Sequence, residues 1–329
     1  MKAIKNVGTA AINSIISERE KNGTFKNIFN FASRVDPIAV NKAVLESLIS
    51  AGAMDDLEGN RAQKYASIEK VLDYASSVQT EKRRGQMMLF DSFQEEEDEF
   101  LPELPDIHDW SLNAKLKNEK SVLGFYLSGH PLNKHKNILK YLTNIDSESA
   151  EYEPEKIPNQ IFIAGVISEI TKRNDKKGNP YAIILFEDLL GKFEMALFNK
   201  DFEQYYPILE EGKEMFIIGK KSSYNYSNEN ILRVNPVKFL QFDELKEKLS
   251  GEVYLNLKED SLNPDFYSGF ADRINQNHGK FKLFIDIETQ KFKTIRLHSN
   301  QTKIFPSEHL FSILEEDQKI KPKVMIDFR

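Results

Sequence analysis

Near Ile161 the hydrophobic period of this chain changes, and a fold built from one kind of secondary structure cannot satisfy both sides of that change. Before it, apolar residues recur at three and four positions (Ile12, Ile15, Ile16; Val44, Leu45, Leu48, Ile49), which places them on one face of a helix. After it they alternate, in IFIAGVISEI, YAIILFEDL, KFEMALF, EMFIIGKK and ILRVNPVKFL between Ile161 and Leu240. The expected fold is therefore α+β and multidomain, helices first and sheets after.

The periodicity predicts helices over 10–20, 25–32 and 41–50, and a longer one from 61 to about 82. A further helix is expected over 112–126, stopped by Gly129 and Pro131, and another over 134–142. Asp175-Lys-Lys-Gly-Asn-Pro reads as the turn between the first two strands, and a short helix over 201–209 falls between the third and fourth. Five strands with a helix in that place is the order of a small Greek-key barrel of the OB type. The closing eighty residues read strand, helix, strand, strand, helix, strand, with helices over 264–276 and 307–315, which suggests a split βαβ sandwich. The divisions expected are a helical module (1–84), an acidic linker (85–110), a helical connector (111–158), a barrel (159–245) and a small α/β domain (246–329).

Composition narrows the chemistry. The 329 residues contain no cysteine, so neither a disulfide framework nor a thiolate metal site can form, and the six histidines never fall at ligand spacing. No metal site is expected. No apolar run approaches the roughly 20 residues that span a bilayer, and no apolar signal core follows the N-terminus, which sets the expectation of a cytoplasmic protein without membrane contact. The net charge is −6, yet the first fifty residues hold seven Lys/Arg against four Asp/Glu. Charge must be read by segment, because local basic patches bind phosphate even in an acidic chain.

Three segments carry candidate chemistry. Ala3-Ile-Lys-Asn-Val-Gly-Thr-Ala-Ala resembles the second half of a helix-hairpin-helix, whose glycine turn lets successive backbone amides and a helix N-terminus face a DNA phosphate. Val7, Gly8 and Thr9 are its candidates, and a second copy around Ala51-Gly52-Ala53 adds Gly52. The competing reading for both is a helix with a glycine at its end. In the barrel, Lys172, Arg173, Lys176 and Lys177 cluster at the first hairpin, with Tyr181, Lys220, Lys221, Tyr224 and Tyr226 expected near it on neighbouring strands. Cations lining aromatics suit stacking of single-stranded bases, although basic hairpin tips are commonly only solvated. In the linker, Gln86-Met-Met-Leu-Phe90 precedes EEEDEF, a composition that cannot bury enough surface to order itself. There Leu89 and Phe90 are costly to leave wet and suit a partner's pocket, with the Gln86 amide fixing orientation, unless the patch folds back on its own domain.

Taken in order, the hairpin, QMMLF, NEKSVLGFYLSGHPLN (118–133) and the barrel closely resemble the C-terminal half of the bacterial DNA polymerase III alpha subunit. LGFYLSGHPL is the most specific of these strings, and the resemblance weakens in the last eighty residues. It implies that Val7, Gly8 and Thr9 hold the primer-template duplex and that Gln86, Leu89 and Phe90 occupy the sliding-clamp (beta) pocket. The last domain would be a possible contact for the clamp-loader tau subunit. The family's Mg²⁺-binding aspartates lie in an upstream palm, so no cofactor and no catalytic residue is expected in this chain, which would be inactive as a polymerase alone. The first hairpin begins almost at Met1, so its leading helix is expected to be missing and the chain to be a fragment. His130 receives a structural role. Two other readings are a free-standing single-stranded-DNA-binding or repair protein and an OB-containing tRNA synthetase fragment; the clamp string and LGFYLSGHPL count against both.

Overall fold

In a computed structural model the described residues are 3–83, 101–222, 232–259, 262, 264–291, 293–307, 309–311 and 320–327. The chain separates into two compact units, Met1–His130 and Pro131–Arg329.

The first unit is helical: α1 (Thr9–Asn22), α2 (Ile28–Arg34), α3 (Lys42–Ser50), α4 (Arg61–Ala66), α5 (Ile68–Arg83) and α6 (Leu112–Leu123). Side-chain caps start four of them. Asn27, Asn41 and Ser111 accept from the amide three residues on, and Asn60 forms a reciprocal capping box with Gln63. The single long helix expected from residue 61 is two. Ser67, buried at the break, turns its hydroxyl onto the Gln63 carbonyl, a back-bond that competes with the helical ladder. The core collects Ile12 and Ile15 of α1, Phe29 and Phe31 of α2, Leu45, Leu48 and Ile49 of α3, and Val71 of α5.

The helix α6 ends earlier than its sequence suggests. Gly124 takes φ +82° and its amide closes on the Lys120 carbonyl, so the stop lies five residues before Gly129.

The second unit begins with a 3-10 turn, then α7 (Lys136–Leu142) and α8 (Ser147–Tyr152). Five strands follow, β1 (Gln160–Asn174), β2 (Pro180–Glu187), β3 (Lys192–Phe198), β4 (Glu214–Lys221) and β5 (Leu232–Gln241), with α9 (Asn199–Tyr205) between β3 and β4. They close in the order β1-β2-β3-β5-β4, β3 running parallel to β5 and β4 returning antiparallel to β1. This is an OB-like barrel. Ile161, Ile163, Phe186, Phe193, Met195 and Ile217 fill its interior. The intervening residues of β1 and β4, among them Phe162, Ala164, Phe216 and Ile218, are buried on the outside. A strand covered on both faces loses its alternation, which is why IFIAGV reads as a continuous apolar run.

After α10 (Leu245–Lys248), β6 (Gly251–Lys258), α11 (Pro264–Gln276), β7 (His278–Glu288), β8 (Thr294–Ile304) and β9 (Lys321–Ile326) form a four-stranded sheet in the order β8-β7-β6-β9. Here the expectation of a split βαβ fails. The parallel strands β6 and β7 pair directly, residue 251 with 281 through 258 with 288, and no strand lies between them. Periodicity locates strands but holds no information on which neighbour each one takes. Residues 309–311 are helical, Ser307 stands before them with its hydroxyl accepting from the Leu310 amide, and residues 308 and 312–315 of the expected helix lie outside the described residues. Val253, Leu255, Leu257, Phe281 and Leu283 share one core with α7 and the outer face of the barrel.

Candidate nucleic-acid interface

The N-terminal turn is anchored from below. Ile4 and Val7 are buried, the Val7 amide donates to the Ile4 carbonyl, the Lys5 amide to the Val122 carbonyl, and the Asn6 side chain to Ser47 Oγ at 3.2 Å. Asn6 sits at φ +68°, a left-handed conformation that asparagine tolerates better than most residues. Sequence reading passes it over, although Asn before Val-Gly is a usable signal. Held so, Gly8 becomes the N-cap of the 14-residue α1 without a side-chain cap, exposed together with Thr9, and with open space where a Cβ would project. The first amides of a helix lack intrahelical partners and carry the positive end of its dipole, so this surface offers N–H groups to an anion. Gly8 has a negative φ of −74°, so its use is close approach and not backbone freedom. Val7 can contribute only its backbone.

Gly52 is built differently. It occupies the left-handed position after α3 at φ +76°; its amide donates to the Ile49 carbonyl and that of Ala53 to the Leu48 carbonyl, the paired bonds of a Schellman cap. A Cβ there would stand 2.2 Å from the Arg61 guanidinium. Both amides of this hairpin are therefore engaged within the chain, which favours the helix-end reading of Gly52.

Beneath it lies a charge network that sequence reading misses. Arg61 grips both carboxylate oxygens of Asp55 and donates to Glu119 at 2.8 Å, and Lys64, one turn further along α4, donates to the Met54 carbonyl. Glu119 is fully buried and also accepts from the amides of Leu127 and Ser128 and the hydroxyl of Ser128. Burial alone would raise its pKa, but these hydrogen bonds and Arg61 outweigh it and hold the carboxyl below the usual range. Burial pushes the Lys64 ammonium down. The network thus ties the hairpin at Gly52 to the LGFYLS segment through Glu119, which in the sequence looks like one more solvated residue of EKS.

On the barrel, Arg173 pairs in register with Tyr181, and Tyr181 with Phe198, the two rings stacking at 5.1 Å. Lys172 holds its ammonium 5.7 Å from the ring centre of Phe202 and 5.6 Å from that of Tyr206, which stack on each other at 4.6 Å. Lys176 and Lys177 ride on the tip, where Asp175 accepts from the Lys177 and Asn179 amides. Lys172, Arg173, Lys176 and Lys177 are all exposed. Lys220, by contrast, pairs with Gln160 at the start of β1, and Lys221 with Val234, while the hairpin tip lies at the other end of β1. Tyr224 and Tyr226 lie outside the described residues, as do Gln86, Leu89 and Phe90. Phe198, Phe202 and Tyr206 escape the sequence reading; the i, i+4 spacing of the last two on a predicted helix is the signal that could find them. Among the described residues no group of three or more His, Cys, Asp or Glu could hold a metal ion.

A helix-hairpin-helix module followed by an OB-like barrel and a second small sheet defines the architectural class, and residues 1–64 match the family model described as "Helix-hairpin-helix motif". Over nearly its whole length the chain is similar to DNA polymerase III alpha subunits, and it corresponds to their C-terminal region. The Pseudomonas aeruginosa subunit is 25% identical over 343 residues, covering 99% of this chain and 29% of that protein. The Vibrio cholerae subunit is 27% identical over 82% of the chain and 23% of its own length, and the Caulobacter vibrioides subunit 31% over 65% and 18%. The chain therefore spans less than a third of these relatives. Among solved structures, a mitochondrial single-stranded DNA binding protein from S. cerevisiae, Rim1, aligns at a TM-score of 0.21 with 13% identity, over 25% of this chain and 92% of that one. RecG bound to a three-way DNA junction aligns at 0.23 with 17% identity, over 68% and 30%.

Proposed function

We propose that this chain serves DNA replication as the part of a polymerase III alpha subunit that holds DNA and the sliding clamp, and that it forms no phosphodiester bond by itself. The similarity that extends over 99% of the chain to such a subunit carries this reading. Geometry supports its DNA arm at two places. The open amides at Gly8 and Thr9 suit a duplex phosphate, and the rim formed by Lys172, Arg173, Lys176 and Lys177 beside Tyr181, Phe198, Phe202 and Tyr206 suits a single strand. Binding to the phosphate backbone releases counterions without reading sequence, so it is expected to be sequence-independent and salt-sensitive. The clamp arm rests on the string Gln86-Met-Met-Leu-Phe90.

The DNA arm is tested by titrating labelled single strands at several salt concentrations. Replacing Lys172, Arg173, Lys176 and Lys177 together by Ala should lower the salt slope by about one unit for each phosphate that the rim no longer neutralises. An unchanged slope means that the barrel does not meet DNA at this rim.

A further inference from the structure

The C-terminal sheet leaves one face without a covering element among the described residues. On β6 every second residue is buried, and those between (Glu252, Tyr254, Asn256) are half-buried on the opposite face. The register carries that face across the sheet. Tyr254 lies beside Phe284 on β7, Phe284 beside His298 on β8, and Tyr254 beside Lys323 on β9. The three rings stack in a row, Tyr254 on Phe284 at 4.9 Å and 13°, Phe284 on His298 at 4.5 Å and 16°. That spacing matches the roughly 4.8 Å between strands, so each ring stands on its own strand with its face against the next. The row ends at His298, exposed on the edge strand, beyond which no strand follows among the described residues.

Its fittings are specific. The Tyr254 hydroxyl donates to Glu252, which fixes the ring. Arg296 is held by both oxygens of Asp286 at 2.7 Å, with its guanidinium 5.1 Å from the Tyr254 ring centre, and its side chain stays 57% exposed. Lys323 and Lys282 are exposed on the same face. A domain does not ordinarily leave a row of half-buried rings ending in an exposed one beside an oriented arginine unless something stacks there.

We propose that this face is a second stacking site for single-stranded nucleic acid, distinct from the barrel rim, in which a base continues the ring row at His298, its phosphate meets Arg296, and a phosphate further along the strand meets Lys323 at the other end of the row. Rings supply the sequence-tolerant stacking, and Lys323 together with Arg296, whose charge Asp286 offsets in part, supplies the attraction to a polyanion. The inference deepens the DNA-holding reading, and its test separates the two.

Single-stranded oligonucleotide carrying bromodeoxyuridine is photo-crosslinked to the full chain and the modified peptides are mapped, while affinity is measured for the chain, for a His298→Ala/Lys323→Glu variant, for Phe284→Leu and for the fourfold barrel-rim variant. The first of these changes only exposed side chains and so keeps the test valid should Phe284→Leu fail to fold. Crosslinks on the peptides bearing Phe284 or His298, together with at least a roughly fivefold loss of affinity in the His298→Ala/Lys323→Glu variant, are expected, on the order of what one stacked base supplies. Crosslinks confined to the barrel, or unchanged affinity in that variant, overturn the proposal, as does binding of a protein at this face in the absence of any oligonucleotide binding there. Loss of binding in the barrel-rim variant with the sheet variants unaffected leaves the DNA-holding reading standing while removing this site.

Discussion

Two glycines of the helical unit, chemically identical, are held for different reasons. Gly52 sits at a positive φ with two hydrogen bonds and a guanidinium packed where its Cβ would be. Gly8 sits at an ordinary φ with nothing around it. Gly52→Ala should therefore cost about 1–2 kcal/mol or more from strain and displacement of Arg61, whereas Gly8→Ala should change stability by less than about 0.5 kcal/mol and weaken duplex binding by crowding the amides. Denaturant unfolding and DNA titration of both variants check this; a stable Gly52→Ala would remove the cap as its explanation. Sequence spacing marks both glycines but cannot tell them apart, since the difference lies in which carbonyls receive the amides.

Glu119 contributes to the pH response at the same scale. Its folded pKa is depressed, so its contribution to stability is present above the unfolded carboxylate range, about pH 4.3, and is lost as pH falls from there through the folded value. Glu119→Ala leaves Arg61 with one carboxylate fewer and the Leu127 and Ser128 amides unpaired, a loss on the order of 3–5 kcal/mol. Acid titration of stability should show the wild-type loss below about pH 4.3 blunted in the variant; parallel curves would assign the acid sensitivity to other carboxylates. No pattern in the sequence announces this residue, because its partners come from 58 positions earlier and from a loop eight positions later.

Among elements, legibility depends on whether one face or two are covered. Amphipathic helices such as α1 and the strand β6 show their period because a single face is buried. The barrel is legible from element order alone, five strands with α9 in place, even though β1 is apolar through its first half. Neighbour choice is not legible, and there the split βαβ expectation fails, β6 pairing with β7. The helix break at Ser67 and the stop at Gly124 escape sequence reading because each turns on one local bond, a hydroxyl to the Gln63 carbonyl and an amide to the Lys120 carbonyl. The site elements divide likewise: the basic tip of β1–β2 reads directly from Lys172 to Lys177, whereas the aromatic floor of Phe202 and Tyr206 comes from α9 and the turn after it.

For the whole molecule, the chain should not extend a primer in the presence of Mg²⁺ and nucleotides; extension that survives stringent purification contradicts the division of labour proposed above. Tethering belongs to this scale too. A five-residue segment covers far less than the roughly 1,200 Å² of a stable interface, so alone it should bind weakly and should gain strength from effective concentration when DNA is gripped at the same time. The decisive measurement is binding of this chain to the sliding clamp proposed as its partner, by calorimetry or surface capture, repeated with Gln86, Leu89 and Phe90 changed to Ala. Measurable binding that falls by about 2–4 kcal/mol in the variant is the expected result; equal affinity for both chains would show that the QMMLF string is not a clamp ligand.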